Sequence, residues 1–97
     1  YCPYLHTKNG LTPKEVIKAC IRGAERAKRQ YNISVRHIIC GLKNDDDDLT
    51  LWMAELASQF KDEGVVAFDL AGPEIGYPFS AHKKALDYAK NHHLFVT

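Results

Sequence analysis

The stretch Gly64 to Pro78, GVVAFDLAGPEIGYP, decides the fold, because a short buried strand in it runs directly into a polar loop that contains glycines. Val65 to Phe68 form an uninterrupted apolar run, which is typical of a strand covered on both faces in a parallel sheet. Asp69, Gly72 and Glu74 follow at the carboxyl end of that strand. Ligands of parallel α/β folds bind at this edge, so these three residues are the first candidates for a site.

Apolar segments that resemble strands recur along the chain at a spacing of about 30 residues, the length of one strand and one crossover helix. They begin near Tyr1, Val35, Val65 and Leu94. This series predicts an α/β fold with the connectivity β-α-β-α-β-α-β, either in a doubly wound sheet or in part of a closed (β/α)8 TIM-type barrel. A dinucleotide-binding turn is not indicated, because the segment Leu5 to Leu11 has a single glycine.

Three amphipathic helices are predicted between these strands. The first starts at the capping sequence Thr12 to Glu15, with proline at the first helical position, and stops near Asn32. The second follows the acidic run Asp45 to Asp48, whose charges complement a helix N-terminus, and is capped by Gly64. The third is expected to have Ser80 as its N-cap and to bury a stripe of mostly small residues. The stripe comprises Ala81, Ala85, Leu86 and Ala89.

The composition predicts one small globular domain. The chain has 97 residues, 45% of them hydrophobic, and a formal net charge of +1, so bulk electrostatics recruits neither nucleic acid nor an anionic membrane. No apolar run approaches the roughly 18 residues of a membrane-spanning helix. Cys2, Cys20 and Cys40 are widely spaced without a C-x-x-C pair, which indicates reduced core cysteines and favours a cytoplasmic protein.

A metal site is not predicted within the chain. The acidic run lacks the glycine and the distant glutamate of an EF-hand loop. The five histidines lack the close spacing of a preformed zinc set, and surface or loop positions are expected for them. They are His6, His37, His82, His92 and His93.

At Asp69 to Glu74, DLAGPE, the chain resembles the adenosine deaminase family, which carries Asp-Leu-Ala-Gly followed by an acidic or proline-glutamate pair after a barrel strand. Val35 to Asn44, VRHIICGLKN, resembles the fourth strand of that family. Leu11 to Val16 resembles its L-T-P-x-E-V helix start, and Tyr1 to Leu5 resembles the end of its third strand. Residues 1–97 therefore resemble an internal portion of a single barrel domain, from about strand 3 to the start of strand 6.

The resemblance implies a (β/α)8 barrel that holds one zinc ion and hydrolyses adenosine or 2′-deoxyadenosine to the inosine product and ammonia. Zinc would lower the pKa of a bound water, a glutamate would deliver a proton to the purine ring, and the resulting hydroxide would attack the carbon that bears the amino group. By resemblance, the backbone N–H of Gly72 donates to a purine ring nitrogen, and Leu42 lines the nucleoside pocket. Asp69 and Glu74 are expected to support the neighbouring loops rather than to transfer protons.

The chain departs from the family pattern at every catalytic group. The N-terminal histidine ligands, the His-Ala-Gly-Glu motif, the later histidine and the Asp-Asp pair are absent, and Leu94 to Thr97, LFVT, resembles the strand that precedes His-Ala-Gly-Glu. The expectation is therefore an internal fragment with a truncated start, inactive alone, whose zinc ligands lie outside it. Its partners would be the remainder of the barrel and a purine nucleoside.

Two alternatives stay open. The parent barrel could act on adenine or a methylated adenine nucleotide, since that choice depends mainly on residues outside the chain. The chain could instead be a complete, non-catalytic α/β module that holds a small ligand at the Gly72 loop. A monomeric sample that unfolds cooperatively would favour the module, and a molten or aggregated sample would favour the fragment.

Overall fold

A computed structural model describes residues 1–97 as a parallel, three-stranded sheet with helices between the strands. The strands are β1 (His37–Leu42), β2 (Val65–Ala71) and β3 (Phe95–Val96), in the order β1-β2-β3. The helices are α1 (Pro13–Tyr31), α2 (Asp47–Gln59) and α3 (Lys83–Asn91), and 3-10 turns cover Pro3–His6, Lys61–Glu63 and Phe79–His82. The predicted α/β class with consecutive parallel βα units is confirmed. No helix combines the length and the apolar character needed to cross a membrane.

The register of β1 and β2 aligns the carboxyl ends of the two strands. Leu42 is the partner of Ala71, and one irregularity lies between His37 and Ile38 at the other end of the pair. Lys43 and Gly72 therefore leave the sheet side by side.

The core lies between the sheet and the helices, and it includes Ile17 and Ile21 of α1 as well as residues of α2 and α3. Ile39 of β1, Phe68 of β2 and Met53 of α2 are completely buried there. Side chains alternate between the two faces of a strand, so the residues of the opposite face point away from these helices. On that opposite face Ile38 is 42% exposed and Phe95 is 76% exposed. We call this the uncovered face of the sheet.

The predicted capping of α1 is confirmed. The Thr12 hydroxyl accepts from the Glu15 backbone N–H at 3.2 Å, and the Thr12 N–H donates to the Glu15 carboxylate at 3.2 Å. Asn32 ends the helix in the left-handed conformation, with φ at 54°. In the acidic run Asp46 is the N-cap of α2, since its carboxylate accepts from the Leu49 N–H at 2.9 Å.

The expected strand near Tyr1 does not form. Tyr1 alone pairs with β1, through its N–H to the Ile38 carbonyl and its carbonyl to the Cys40 N–H, both at 2.9 Å. Pro3 then begins a 3-10 turn. Because proline has no N–H to continue the ladder, the pairing ends after one residue.

Three other boundaries differ from the expectations. β1 starts at His37 rather than at Val35. Gly64 caps the 3-10 turn that follows α2, not α2 itself. Ser80 lies in a 3-10 turn without a capping hydrogen bond, and α3 begins at Lys83. As a result Ala81, expected in the buried stripe, is exposed.

Candidate functional site

The carboxyl ends of β1 and β2, together with the residues that follow them, form what we call the carboxyl edge. The Lys43 N–H donates to the Ala71 carbonyl at 2.7 Å, which extends the strand pairing by one bond. Leu42, half-buried, ends β1 beside Ala71, and Gly72 follows directly. The structure therefore brings the two predicted substrate-binding residues, Leu42 and Gly72, to the same place.

Gly72 is needed by the fold itself. Its φ is +103°, in the region that residues with a Cβ rarely adopt. A Cβ at this position would also lie 3.1 Å from Asn44 Oδ1 and 3.3 Å from the Lys43 nitrogen. Close packing between the two loops thus accounts for glycine here, and the contact of its N–H with a purine stays a prediction.

Lys43 is a central residue of the carboxyl edge, although the sequence pattern predicted only that a loop begins there. Its side chain is 5% exposed, and its Nζ lies 3.2 Å from Glu74 Oε1 and 4.3 Å from the centroid of the Phe79 ring. A carboxylate and an aromatic face together compensate for the burial of the ammonium group. Because the Glu74 side chain is 79% exposed, solvent screens the ion pair, which orders the loop more than it stabilises the protein.

His82 is the second residue that sequence reasoning misplaced. Only 2% of it is exposed, and both ring nitrogens have partners: Nδ1 lies 2.9 Å from Thr50 Oγ1, and Nε2 lies 2.9 Å from the Lys43 carbonyl oxygen. The expected surface or loop position is therefore wrong for His82. A signal was present, since His82 precedes the buried Ala85 and Ala89 by three and seven residues, the spacing of one helical face.

His37 is also buried rather than exposed. It begins β1 with 7% exposure, and its ring meets the Tyr1 ring edge-on at 6.1 Å between centroids. Burial lowers the pKa of His37. It lies at the amino end of the sheet, away from the carboxyl edge.

Asp69 and Glu74 do not form an acid pair. Asp69 is half-buried in β2 opposite Cys40, on the side of the strand that continues the uncovered face. Glu74 points instead to Lys43, and no hydrogen bond or ion pair joins the two acids. Their supporting roles stay predictions, for which the Lys43–Glu74 contact supplies a physical basis at Glu74.

The thiols of Cys40, in β1, and of Cys2, which follows Tyr1, interact with each other. The Cys40 thiol donates a hydrogen bond that lowers the pKa of Cys2 to about 7, against the opposing effect of burial. The same sharing raises the pKa of Cys40 well above its usual value. All three cysteines are free.

The side chains of this chain do not fit a metal centre. No group of three or more His, Cys, Asp or Glu residues is arranged to hold an ion. Within the acidic run Asp46 caps α2, and Asp47 lies 3.6 Å from the Lys84 ammonium. Burial, with the neighbouring Asp46 charge, raises the pKa of Asp45. Asp46 thus caps α2, and Asp47 connects α2 to α3 through Lys84.

Curated relatives match almost the whole chain but only a part of their own length. A probable adenosine deaminase of Dictyostelium discoideum is 37% identical over 91 residues, which are 94% of this chain and 12% of that protein. Adenosine deaminase 1 of Streptomyces coelicolor is 35% identical over 103 aligned residues, covering 99% of this chain and 26% of the relative. The chain thus spans well under a third of these relatives.

Solved structures also match most of this chain but less than a third of their own length. The Arabidopsis N6-mAMP deaminase MAPDA superposes with a TM-score of 0.79 at 26% identity, over 90% of this chain and 28% of that one. Arabidopsis ADAL complexed with GMP superposes with a TM-score of 0.83 at 24% identity, over 98% of this chain and 30% of the ADAL chain. These neighbours are TIM-barrel proteins. The family model for adenosine deaminase matches residues 1–97, and the chain therefore belongs to the adenosine deaminase family.

Proposed function

We propose that this chain forms part of the barrel wall and one purine-contacting loop of a hydrolase. That hydrolase converts adenosine or 2′-deoxyadenosine to the inosine product and ammonia. The observation that carries the proposal is the family match over residues 1–97, with the DLAGPE loop standing at the carboxyl edge beside Leu42. In barrel enzymes this edge is where substrates bind.

Within that function Gly72 offers its backbone N–H to a purine ring nitrogen, and Leu42 supplies an apolar wall for the nucleoside. Lys43 and Glu74 hold the loop, and Asp69 supports the strand below it. This division of roles is supported by the geometry of the edge, where Gly72 packs against Lys43 and Asn44.

The chemistry at the purine requires groups that this chain does not supply. The zinc ion would provide a polarised water, and its ligands lie outside these residues, as does the proton-transferring glutamate. We therefore expect the 97-residue chain to be inactive alone. The uncovered face, with its exposed Ile38 and Phe95, supports packing of the rest of a barrel there. The three free cysteines favour a reducing compartment such as the cytoplasm.

A second substrate class has a specific observation in its favour. The structural neighbours include an N6-mAMP deaminase, and an ADAL protein solved with GMP and with IMP. A methylated adenine nucleotide would use the same carboxyl edge for its base. The sequence relatives at 31–37% identity, all described as adenosine deaminases, favour the nucleoside.

The experiment is a substrate comparison on the full-length protein that contains this segment, purified with zinc. Adenosine, 2′-deoxyadenosine, adenine and N6-methyl-AMP are each incubated with it, and released ammonia or methylamine is measured. Ammonia from the two nucleosides is expected. Methylamine from N6-methyl-AMP alone would establish the second candidate, and no release from any of the four would overturn the proposal.

The isolated 97-residue chain is assayed in parallel. No ammonia is expected from it at any zinc concentration. Robust zinc-dependent turnover by a pure sample of this chain would contradict the assignment of the zinc ligands to other residues.

A further inference from the structure

Two segments of the chain converge on one residue, Lys43, at the carboxyl edge. The Lys43 N–H is bonded to Ala71 at the end of β2, its Nζ pairs with Glu74 beyond Gly72, and its carbonyl is bonded to His82. His82 closes the 3-10 turn Phe79–His82 that leads into α3. His82, 39 residues further along the chain, therefore holds the carbonyl of Lys43. The N–H of the same Lys43 is bonded to the Ala71 carbonyl, which belongs to the peptide that carries the Gly72 N–H.

The hydrogen bonds determine which ring nitrogen of His82 carries a proton. A carbonyl oxygen can only accept, so Nε2 must donate to the Lys43 carbonyl. Nδ1 lies 2.9 Å from the Thr50 hydroxyl, which donates its single proton to the Asp47 carbonyl. Both in-plane directions of the ring are thereby held, and His82 cannot rotate without breaking a buried hydrogen bond.

The partner of Nδ1 is itself held firmly. Thr50 is fully buried in the first turns of α2, and its hydroxyl is also 2.9 Å from the Asp47 carbonyl. Its methyl group packs so closely on β1 that a Cβ at Gly41 would lie 2.8 Å from it. His82 thus connects a close contact between α2 and β1 to the loop of Lys43 and Asn44.

We propose that His82 is a positioning residue for the purine-binding loop: its Nε2–H holds the Lys43 carbonyl and so sets the direction in which the Gly72 N–H points. The proposal rests on the proposed function, in which that N–H binds the nucleobase. His82 has no contact that places it at reacting atoms, so its effect falls on substrate binding rather than on the chemical step.

Two substitutions separate this role from simple filling of space. His82→Gln carries an amide N–H at the reach of Nε2 and keeps a donor for Lys43. His82→Asn is shorter, reaches only the position of Nδ1, and leaves the Lys43 carbonyl without its donor. Both are polar and uncharged, and each keeps one of the two contacts of His82: His82→Gln keeps the bond to Lys43, and His82→Asn keeps the contact with Thr50. If the contact with Thr50 mattered more for substrate binding, the order of the two variants would be reversed. Val65→Ala is the matched control, because Val65 is fully buried at the opposite end of β2.

The test measures kcat and KM for adenosine in the full-length protein. For His82→Asn we expect KM to rise about tenfold with kcat little changed. A change of this size corresponds to the loss of one hydrogen bond that helps to bind the substrate equally in the ground state and the transition state. His82→Gln should stay within about threefold of the unsubstituted protein. Equal KM values for the two variants, or a KM in Val65→Ala raised as much as in His82→Asn, would overturn the proposal.

Failure of the proposed function is recognised separately, because the unsubstituted protein would then deaminate neither adenosine nor N6-methyl-AMP. In that case the amide resonances of Gly72 and Lys43 provide the readout. They should move in His82→Asn and not in Val65→Ala if His82 positions the loop. Unmoved resonances in His82→Asn would overturn the positioning role whatever the activity.

Discussion

Gly72 and Gly10 share a backbone conformation but differ in their surroundings. Their φ values are +103° and +92°, both in the region that favours glycine. A Cβ at Gly72 would meet Asn44 and Lys43, whereas a Cβ at Gly10 would meet nothing within 4 Å. The two positions therefore separate the cost of backbone strain from the cost of crowding between loops.

Gly72→Ala is expected to destabilise the protein more than Gly10→Ala. Each change costs about 1 kcal/mol through the unfavourable φ, and crowding adds about 1–3 kcal/mol at Gly72 alone. Urea unfolding of the two variants and the unsubstituted protein measures the difference. Equal losses of unfolding free energy in the two variants would show that the Gly72 loop accommodates a Cβ without a crowding penalty.

At the scale of elements, the sequence predicted both ends of α1 accurately because capping residues mark them. The Thr12 and Glu15 side chains satisfy backbone N–H groups that the first helical turn leaves free, and Asn32 adopts the left-handed conformation that ends it. α3 has no such cap, so its start depends on how the preceding 3-10 turn packs against α2.

Thr12→Ala is expected to lower the free energy of unfolding by about 1 kcal/mol, because it removes the acceptor for the Glu15 N–H. Thr12→Ser keeps a hydroxyl in the same place and is the matched control. Urea unfolding followed by circular dichroism measures both variants. A loss in Thr12→Ser as large as that in Thr12→Ala would contradict a capping role.

At the scale of the whole molecule, buried titratable groups connect stability to pH. The lowered pKa of His37 means that the unfolded chain takes up a proton near pH 6.5, while the folded protein resists it. The unfolded state then binds more protons, so this contribution to stability is complete above that pH and is lost as the pH falls toward the folded-state pKa.

The slope of unfolding free energy against pH should therefore be smaller in His37→Gln than in the unsubstituted protein between about pH 6.5 and pH 5. His6→Gln is the control, because His6 is exposed. Urea unfolding at a series of pH values gives the slopes. The same slope in all three proteins would rule out burial of a neutral His37.

The sequence by itself determined the α/β class, the capping residues of α1, the strand cores and the family, since each follows from neighbours within a few residues or from a short motif. It also located the DLAGPE loop at a strand end. Only the tertiary structure decided that Lys43 and His82 are buried together, because their hydrogen bond joins residues 39 positions apart. The spacing along one element can indicate that a polar side chain is buried, but its hydrogen-bond partners are brought by other elements and cannot be identified from that spacing.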